Sequence, residues 1–141
     1  MKFKAYLFFI SILLLIFLPG KIYSDGKKSG VKVMAFVEQV YYAIAGAVID
    51  LMEGEEKILT TSTNRSGKFK FFLELNKEYT IIVSKEGFAS KKVKFITDVP
   101  GDMRGVWKCG FVVELFEEDK ILEGYYLEKP VAMIKYDEKE G

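Results

Sequence analysis

Residues 64–88 read NRSGKFKFFLELNKEYTIIVSKEGF, and this stretch has the most regular pattern in the chain. After the turn residues NRSG, apolar side chains such as Phe69 and Phe71 alternate with charged ones, which predicts a strand with one buried and one exposed face. Gly67 lacks a Cβ and can adopt the positive φ that a tight turn after Asn64 requires. We therefore expect a turn that leads directly into a strand.

The second half of the stretch predicts a return strand. Residues 76–78 form a short polar link, and the residues after it alternate again, with Tyr79, Ile81 and Val83 on one face. Two alternating strands joined by a short polar link are typical of a hairpin, so we expect these three side chains to meet the first strand across a shared ladder. On this interpretation Phe69, Phe71 and Tyr79 belong to a core and form no active site.

The same period of two continues along the chain from residue 27, with turn residues at a spacing of about 8–12 positions. This pattern predicts an all-β fold, an antiparallel Greek-key-type β-sandwich of seven to eight strands. The expected strands cover residues 31–37, 45–52, 57–63, 68–75, 79–85, 91–97, 110–116 and 131–136.

The amino-terminus has the layout of a secretory signal. Two lysines precede an apolar run over residues 5–18, and a Pro-Gly pair breaks this run before the small residue Ser24. As a helix rising about 1.5 Å per residue, the run is too short to cross a hydrocarbon core of about 30 Å. We therefore expect an N-terminal signal helix within a signal peptide over residues 1–24 and one domain over residues 25–141, with a retained membrane anchor as the alternative.

Composition excludes several classes of function. The 141-residue chain has no histidine, one cysteine and a formal net charge of +1. Without histidine it has no Ser-His-Asp or Cys-His hydrolase site and no histidine-containing zinc site, and its charge does not favour nucleic acid. Cys109 has no partner for an intramolecular disulfide and no base close to it in sequence, so we interpret it as a partly buried, unreactive thiol. Two acidic clusters, in residues 53–56 and 117–119, lack the alternating spacing of a calcium loop and are interpreted as solvated turns.

Three segments resemble the carboxypeptidase regulatory-like domain, a transthyretin-like (prealbumin) β-sandwich of exported bacterial proteins. Gly46 and Ala47 match the Gly-Ala pair that opens the second strand of that family. Residues 66–69 match the turn that opens a central strand, and residues 79–88 match a tyrosine-rich strand that ends in a Lys-x-Gly-Phe turn. The resemblance implies an accessory module that binds sugars or proteins. The carboxyl-terminal part is similar to small envelope proteins of Gram-negative bacteria.

Aromatic side chains outside the expected core are the candidate ligand-binding residues. Flat rings stack on sugars, and Tyr and Trp are enriched at interfaces. Five such residues fall in expected loops or at expected strand ends: Tyr41, Tyr42, Trp107, Tyr125 and Tyr126.

Together these features predict an exported interaction or structural module of the bacterial cell envelope, in the periplasm, at the outer membrane or outside the cell. The expected partner is an envelope protein or a glycan, with no nucleic acid and with membrane contact only through a retained signal segment. The alternative is a carbohydrate-binding module that uses the loop aromatics. No cofactor, metal or catalytic residue is expected, so the sequence predicts that the protein is not an enzyme.

Overall fold

The computed structural model describes residues 28–120 and 129–137, which form two β-sheets packed face to face. The predicted all-β sandwich is confirmed, since these residues contain nine strands, a 3-10 turn at Glu118–Lys120 and no α-helix. The predicted signal segment, residues 1–24, lies outside the described residues. The strands are β1 (Gly30–Gln39), β2 (Tyr42–Ala43), β3 (Val48–Glu53), β4 (Glu56–Ser62), β5 (Lys68–Glu74), β6 (Glu78–Lys85), β7 (Phe88–Ile96), β8 (Val106–Glu114) and β9 (Ala132–Lys135).

Strand β1 is the centre of the first sheet, which we call the β1 sheet. It pairs antiparallel with β5 and, at its end, with β2, and it pairs parallel with β8. The second sheet, the β3 sheet, has the order β4-β3-β6-β7-β9, with β9 parallel to β7. Strands β8 and β9 depart from the expected antiparallel pairing, since each lies parallel to its neighbour. The chain enters both of them from the other sheet, so neither is joined to that neighbour by a hairpin.

The core lies between the two sheets, where the alternation of each strand places its apolar side chains. Phe111 of β8 joins the layers, because its ring centroid lies 6.3 Å from that of Phe69 in its own sheet and 5.7 Å from that of Phe95 in the opposite sheet. Phe69 also contacts Phe71 edge-on, at 5.7 Å. Such tilted and edge-on pairs are the favoured geometries of packed rings, so Phe69 and Phe71 are core residues as predicted.

The predicted hairpin within residues 68–85 is wrong. Strand β5 pairs with β1, whereas β6 pairs with β3 and β7, so residues 75–77 carry the chain from one sheet to the other. Tyr79, Ile81 and Val83 are buried in the same core as the apolar residues of β5, but they face them from the other sheet. Alternation does not distinguish the two arrangements, because both put the same side chains on the apolar face.

Side-chain hydrogen bonds hold this crossing. The backbone N–H of Glu74 donates to the Tyr79 hydroxyl at 3.2 Å, and Asn76 adopts a positive φ of 58°. The buried Thr97 hydroxyl donates to the Glu74 carbonyl at 2.7 Å and accepts from the Lys77 N–H at 3.1 Å. The backbone groups freed by the crossing therefore find partners without a ladder.

The predicted turn before β5 is confirmed. Gly67 has a φ of 71°, and the Asn64 side-chain oxygen accepts from the Ser66 and Lys68 N–H groups at 2.9 and 3.0 Å. A Cβ on Gly67 would overlap the carbonyl oxygen of Val37. Glycine is therefore required here both for its φ and for the close approach of β1.

Several strand boundaries differ from the expected ones. Strand β8 begins at Val106, before the start at residue 110 that the sequence predicted, so Trp107 lies in a strand. Gly110 caused this error, because it occupies a strand interior, opposite Met34, and does not start the strand. Within residues 28–120 and 129–137, no helix has the length and apolar character needed to span a bilayer.

Candidate functional site

The tip of the β1–β2 hairpin carries the two most exposed large hydrophobic side chains of the described residues, Tyr41 and Tyr42. Tyr41 is 91% exposed, Tyr42 is 79% exposed and Val40 is 58% exposed. Val40 and Tyr41 are the two central residues of the turn, because Gln39 and Tyr42 pair on either side of them. We call Val40, Tyr41 and Tyr42 the hairpin tip.

The backbone of the hairpin tip favours other residues than those present. Val40 and Tyr41 have positive φ values of 46° and 69°. A two-residue hairpin turn with positive φ at both positions normally contains Asn and Gly, because a β-branched residue such as Val is sterically opposed there. A non-glycine residue held in this region costs about 1–3 kcal/mol. The exposed Val40 and Tyr41 therefore make the turn less stable than Asn and Gly would.

The base of the hairpin explains how the strained turn persists. The Ile44 N–H donates to the Val37 carbonyl at 2.8 Å, and the Thr63 hydroxyl donates to the Ile44 carbonyl at 2.7 Å. The same Thr63 oxygen accepts from the Ala47 N–H at 2.9 Å, and Gly67 packs against this segment from the other side. The surrounding contacts therefore fix the turn whatever its own residues prefer.

Trp107 lies at the other end of the β1 sheet from the hairpin tip. It pairs with Val31 near the start of β1, whereas the tip follows Gln39, which at about 3.3 Å per residue is roughly 26 Å away. The Trp107 ring is half-buried and packs edge-on against Tyr136, with centroids 6.3 Å apart. Trp107 therefore closes that end of the sandwich together with Tyr136.

The five aromatic residues proposed from the sequence do not form one surface. The structure brings Tyr41 and Tyr42 together and separates both of them from Trp107. The other two, Tyr125 and Tyr126, lie outside the described residues. The hairpin tip is the part of the predicted set whose geometry supports binding.

A second exposed surface, the outer face of the β1 sheet, was missed in the sequence. Its four apolar side chains are 36–55% exposed and stand among lysines. We call its nine central positions the lysine face. Across strands β5, β1 and β8 its rows are Phe72, Lys32 and Lys108; then Lys70, Met34 and Gly110; then Lys68, Phe36 and Val112.

Within the part of the chain that the structure describes, the lysine face holds no acidic residue to balance its lysines. Its nine positions hold four lysines and no acidic residue. Lys68 lies over the Phe36 ring, with Nζ 5.6 Å from the centroid, and the other three lysines make no ion pair with a described residue. On the outer face of the β3 sheet, by contrast, a lysine such as Lys57 is paired, with Nζ 2.9 Å from Asp50. The nine positions of the lysine face are therefore a local cluster of positive charge with no acidic residue inside it.

The thiol and the acidic clusters considered for chemistry are members of neither surface, although Gln39, the residue before the hairpin tip, donates a hydrogen bond from Nε2 to Glu117 Oε1 at 2.9 Å. Cys109 is half-buried against the core, and burial raises the pKa of its thiol, so the thiol stays protonated at neutral pH and is a poor nucleophile. Glu53, in the first acidic cluster, pairs with Lys77 at 3.1 Å. Among the residues that the structure describes, no three His, Cys, Asp or Glu side chains come together to hold a metal ion.

No protein-family model and no curated protein sequence matches the chain. Solved structures do match it. A mutant catechol 1,2 dioxygenase of Acinetobacter radioresistens shares 12% sequence identity, with 77% of this chain and 58% of that chain covered and a TM-score of 0.50. A 3-chlorocatechol 1,2-dioxygenase of Rhodococcus opacus 1CP shares 10% identity, with coverage of 68% and 63% and a TM-score of 0.46. The dioxygenase domain of a dioxygenase carbohydrate-binding protein fusion of Streptomyces sp. SirexAA-E shares 10% identity, with coverage of 66% and 84% and a TM-score of 0.44.

The first of these neighbours, the catechol 1,2 dioxygenase of Acinetobacter radioresistens, corrects the prediction that the protein is not an enzyme. The chain spans 58% of the length of the first of them, and at 12% identity the likeness shows a shared fold alone. That fold is nevertheless part of a dioxygenase, so a regular sandwich core is no ground for excluding catalysis. Core alternation determines the fold and leaves the activity open. The resemblance to carboxypeptidase regulatory-like domains stays a prediction.

Proposed function

We propose that the protein is an exported interaction module of the bacterial cell envelope and that it binds a partner protein through the hairpin tip. One observation carries this proposal: Val40, Tyr41 and Tyr42 stand exposed on a turn whose backbone favours other residues. Exposed apolar side chains on a strained backbone lower stability, so a role outside the fold accounts for them better than a role within it.

The chemistry of the hairpin tip suits protein recognition. Tyrosine brings a large, rigid contact area with few rotatable bonds, and its hydroxyl remains hydrogen-bonded at the wet rim of an interface. Val40 adds an aliphatic group beside the two rings. A narrow projection of this kind fits a concave site on its partner, where each ring would bury about 150–250 Å².

Export is supported by the amino-terminal pattern. The charged start, the apolar run over residues 5–18 and the small residue Ser24 have the layout of a secretory signal. The resemblance of the carboxyl-terminal part to small envelope proteins of Gram-negative bacteria agrees with this location. We therefore place the partner in the envelope, in the periplasm or at the outer membrane.

Affinity capture from the native envelope tests the proposal. A tagged protein with Tyr41→Ala and Tyr42→Ala is compared with a matched control, Ile58→Ala and Leu59→Ala, which removes two exposed apolar side chains from β4 instead. We expect the tip variant to lose its partner and the control to retain it, with equal circular dichroism spectra. Retention of the same partner by both variants would refute the proposal.

Carbohydrate binding by the same tip is a second candidate. Tyr41 and Tyr42 are adjacent and almost fully exposed, and flat aromatic rings are the surfaces on which sugar rings stack. Calorimetric titration with soluble envelope polysaccharide separates this candidate from the first. Sugar stacking predicts that Tyr41→Phe and Tyr42→Phe keep most of the affinity and that the alanine variants lose it, whereas no heat with any glycan removes this candidate.

A further inference from the structure

We propose that the lysine face docks the protein on the surface of an anionic phospholipid bilayer. This inference does not depend on the hairpin tip, which belongs to a different part of the β1 sheet. It also goes beyond the sequence, which led us to expect membrane contact only through a retained signal segment.

The arrangement of charge is the first observation. Three rows of three residues carry four lysines and no acid, and three of these lysines lack an ion pair with any described residue. At about 4.8 Å between strands and 3.3 Å per residue, the nine Cα positions cover roughly 10 by 13 Å. A lysine cluster of this density is attracted to an anionic lipid surface, by about fivefold in affinity for each lysine.

The apolar side chains between the lysines are the second observation. Met34, Phe36, Phe72 and Val112 point away from the core and remain exposed, although alternation would place polar residues there. Gly110 leaves the space beside Met34 open, since a Cβ there would meet only the Met34 carbonyl oxygen, at 3.6 Å. On a bilayer, these four apolar side chains would reach the boundary between headgroups and acyl chains, and the lysine side chains beside them would extend to the lipid phosphates.

The presence of lysine and the absence of arginine on the lysine face favour a bilayer over an acidic protein as its binding partner. Protein interfaces are enriched in arginine and depleted in lysine, because the planar guanidinium pairs with carboxylates in two-point contacts. The lysine face has four lysines and no arginine. Lysine acts as a compact point charge, which suits a diffuse layer of phosphates that offers no fixed geometry.

Acidic residues limit the extent of the face. Glu74 lies beyond one end of the nine positions and is paired with Lys77 at 3.2 Å. Glu38 and Glu114 lie side by side beyond the other end, next to the hairpin. These carboxylates would be repelled by anionic headgroups, so the contact is confined to the central rows.

Vesicle sedimentation tests the inference with the exported protein purified from its native envelope. Vesicles of phosphatidylcholine with and without phosphatidylglycerol are compared, and binding is expected only with phosphatidylglycerol and to weaken as salt is added. Lys32→Gln, Lys70→Gln and Lys108→Gln together should weaken binding on the order of 100-fold. Lys57→Gln, Lys92→Gln and Lys94→Gln on the opposite outer face change the net charge equally and should leave binding within about twofold, because those lysines lie away from the bilayer.

All variants share one amino-terminus, so their difference reports the lysine face whether or not a signal segment is retained. Equal loss of binding in the two triple variants, or no binding to phosphatidylglycerol vesicles, would overturn the inference. So would binding to soluble poly-glutamate in place of vesicles, which would assign the face to an acidic protein. Loss of the envelope partner after tip substitution, with vesicle binding unchanged, would show that the two surfaces act separately.

Discussion

The hydroxyl of Tyr79 accepts a hydrogen bond from the backbone N–H of Glu74 across the crossing between the two sheets, at 3.2 Å. This contact joins the last residue of β5 to the second residue of β6 where the chain leaves one sheet for the other. It replaces part of the ladder that a hairpin would have supplied. The crossing therefore depends on a side chain of the core.

Tyr79→Phe should lower the free energy of unfolding by about 0.5–1.5 kcal/mol, because the ring remains buried and only the hydrogen bond is lost. Urea denaturation followed by circular dichroism measures the change. Tyr42→Phe is the control, since that hydroxyl is exposed to solvent. An equal effect of the two substitutions would show that the Tyr79 hydroxyl does not stabilise the crossing.

Gly67→Ala should destabilise the protein more than glycine substitutions in open turns. Both the positive φ and the overlap with the Val37 carbonyl oxygen oppose a methyl group there. Gly54→Ala is the matched control, because Gly54 has a φ of 61° and no neighbour within 4 Å of its Cβ position. We expect a loss of about 1–2 kcal/mol for Gly54→Ala from backbone strain alone and a clearly larger loss for Gly67→Ala. Similar losses of unfolding free energy in the two variants, measured by urea denaturation, would show that β1 moves away from the added methyl group.

Asp50 should make stability depend on pH in the acid range. A hydrogen bond from Thr60 at 2.6 Å and the ion pair with Lys57 lower the pKa of Asp50 below its ordinary value of 3.8. The ionised carboxylate therefore contributes stability above the unfolded-state pKa, and this contribution is lost as the pH falls through the lower folded-state pKa.

Denaturation at a series of pH values measures this dependence. Asp50→Asn should flatten the decline in stability below about pH 4, since the carboxylate that titrates is absent. Asp98→Asn, at an exposed position outside the strands, is the comparison. A decline unchanged in Asp50→Asn would mean that other carboxylates account for it.

Val40→Asn should stabilise the protein while leaving both tyrosines in place. Asn adopts a positive φ at a lower energetic cost than Val, so the substitution should relieve strain and raise the free energy of unfolding by about 1 kcal/mol. Adding Tyr41→Gly should raise it further, because Asn-Gly is the preferred sequence of this turn. Thermal unfolding measures both changes, and a lower melting temperature in both variants would show that the present residues stabilise the turn.

The sequence predicted the elements of the fold better than their pairing. The turn at Gly67 and the buried side of β5 follow from local chemistry, namely the need for a positive φ and the alternation of Phe69 and Phe71 with charged residues. The partner of β5 does not, because a hairpin and a crossing between sheets bury the same residues. The crossing is held by Tyr79 and Thr97, whose hydroxyl contacts with Glu74 depend on the assembled core.

The candidate surfaces were predictable only in part. Exposed Tyr41 and Tyr42 were identified as a pair, but their strained turn is set by contacts at the hairpin base that involve Thr63 and Gly67, which are distant in sequence. Two parts of the lysine face were visible in the sequence. Lys68 and Lys70 alternate with Phe69 and Phe71 in β5, and Met34 and Phe36 are apolar residues at the outward-facing positions of β1. The lysines of the face come from three strands, and only the register between those strands unites them.

Site-specific photo-crosslinking in the native envelope tests the central claim, binding by the hairpin tip, most directly. A photoreactive phenylalanine analogue replaces Tyr41 in one variant and Ile58, an exposed residue of β4, in the other. We predict one adduct of defined mass from position 41 and none from position 58. Equal adducts from both positions, or none from position 41, would contradict the account.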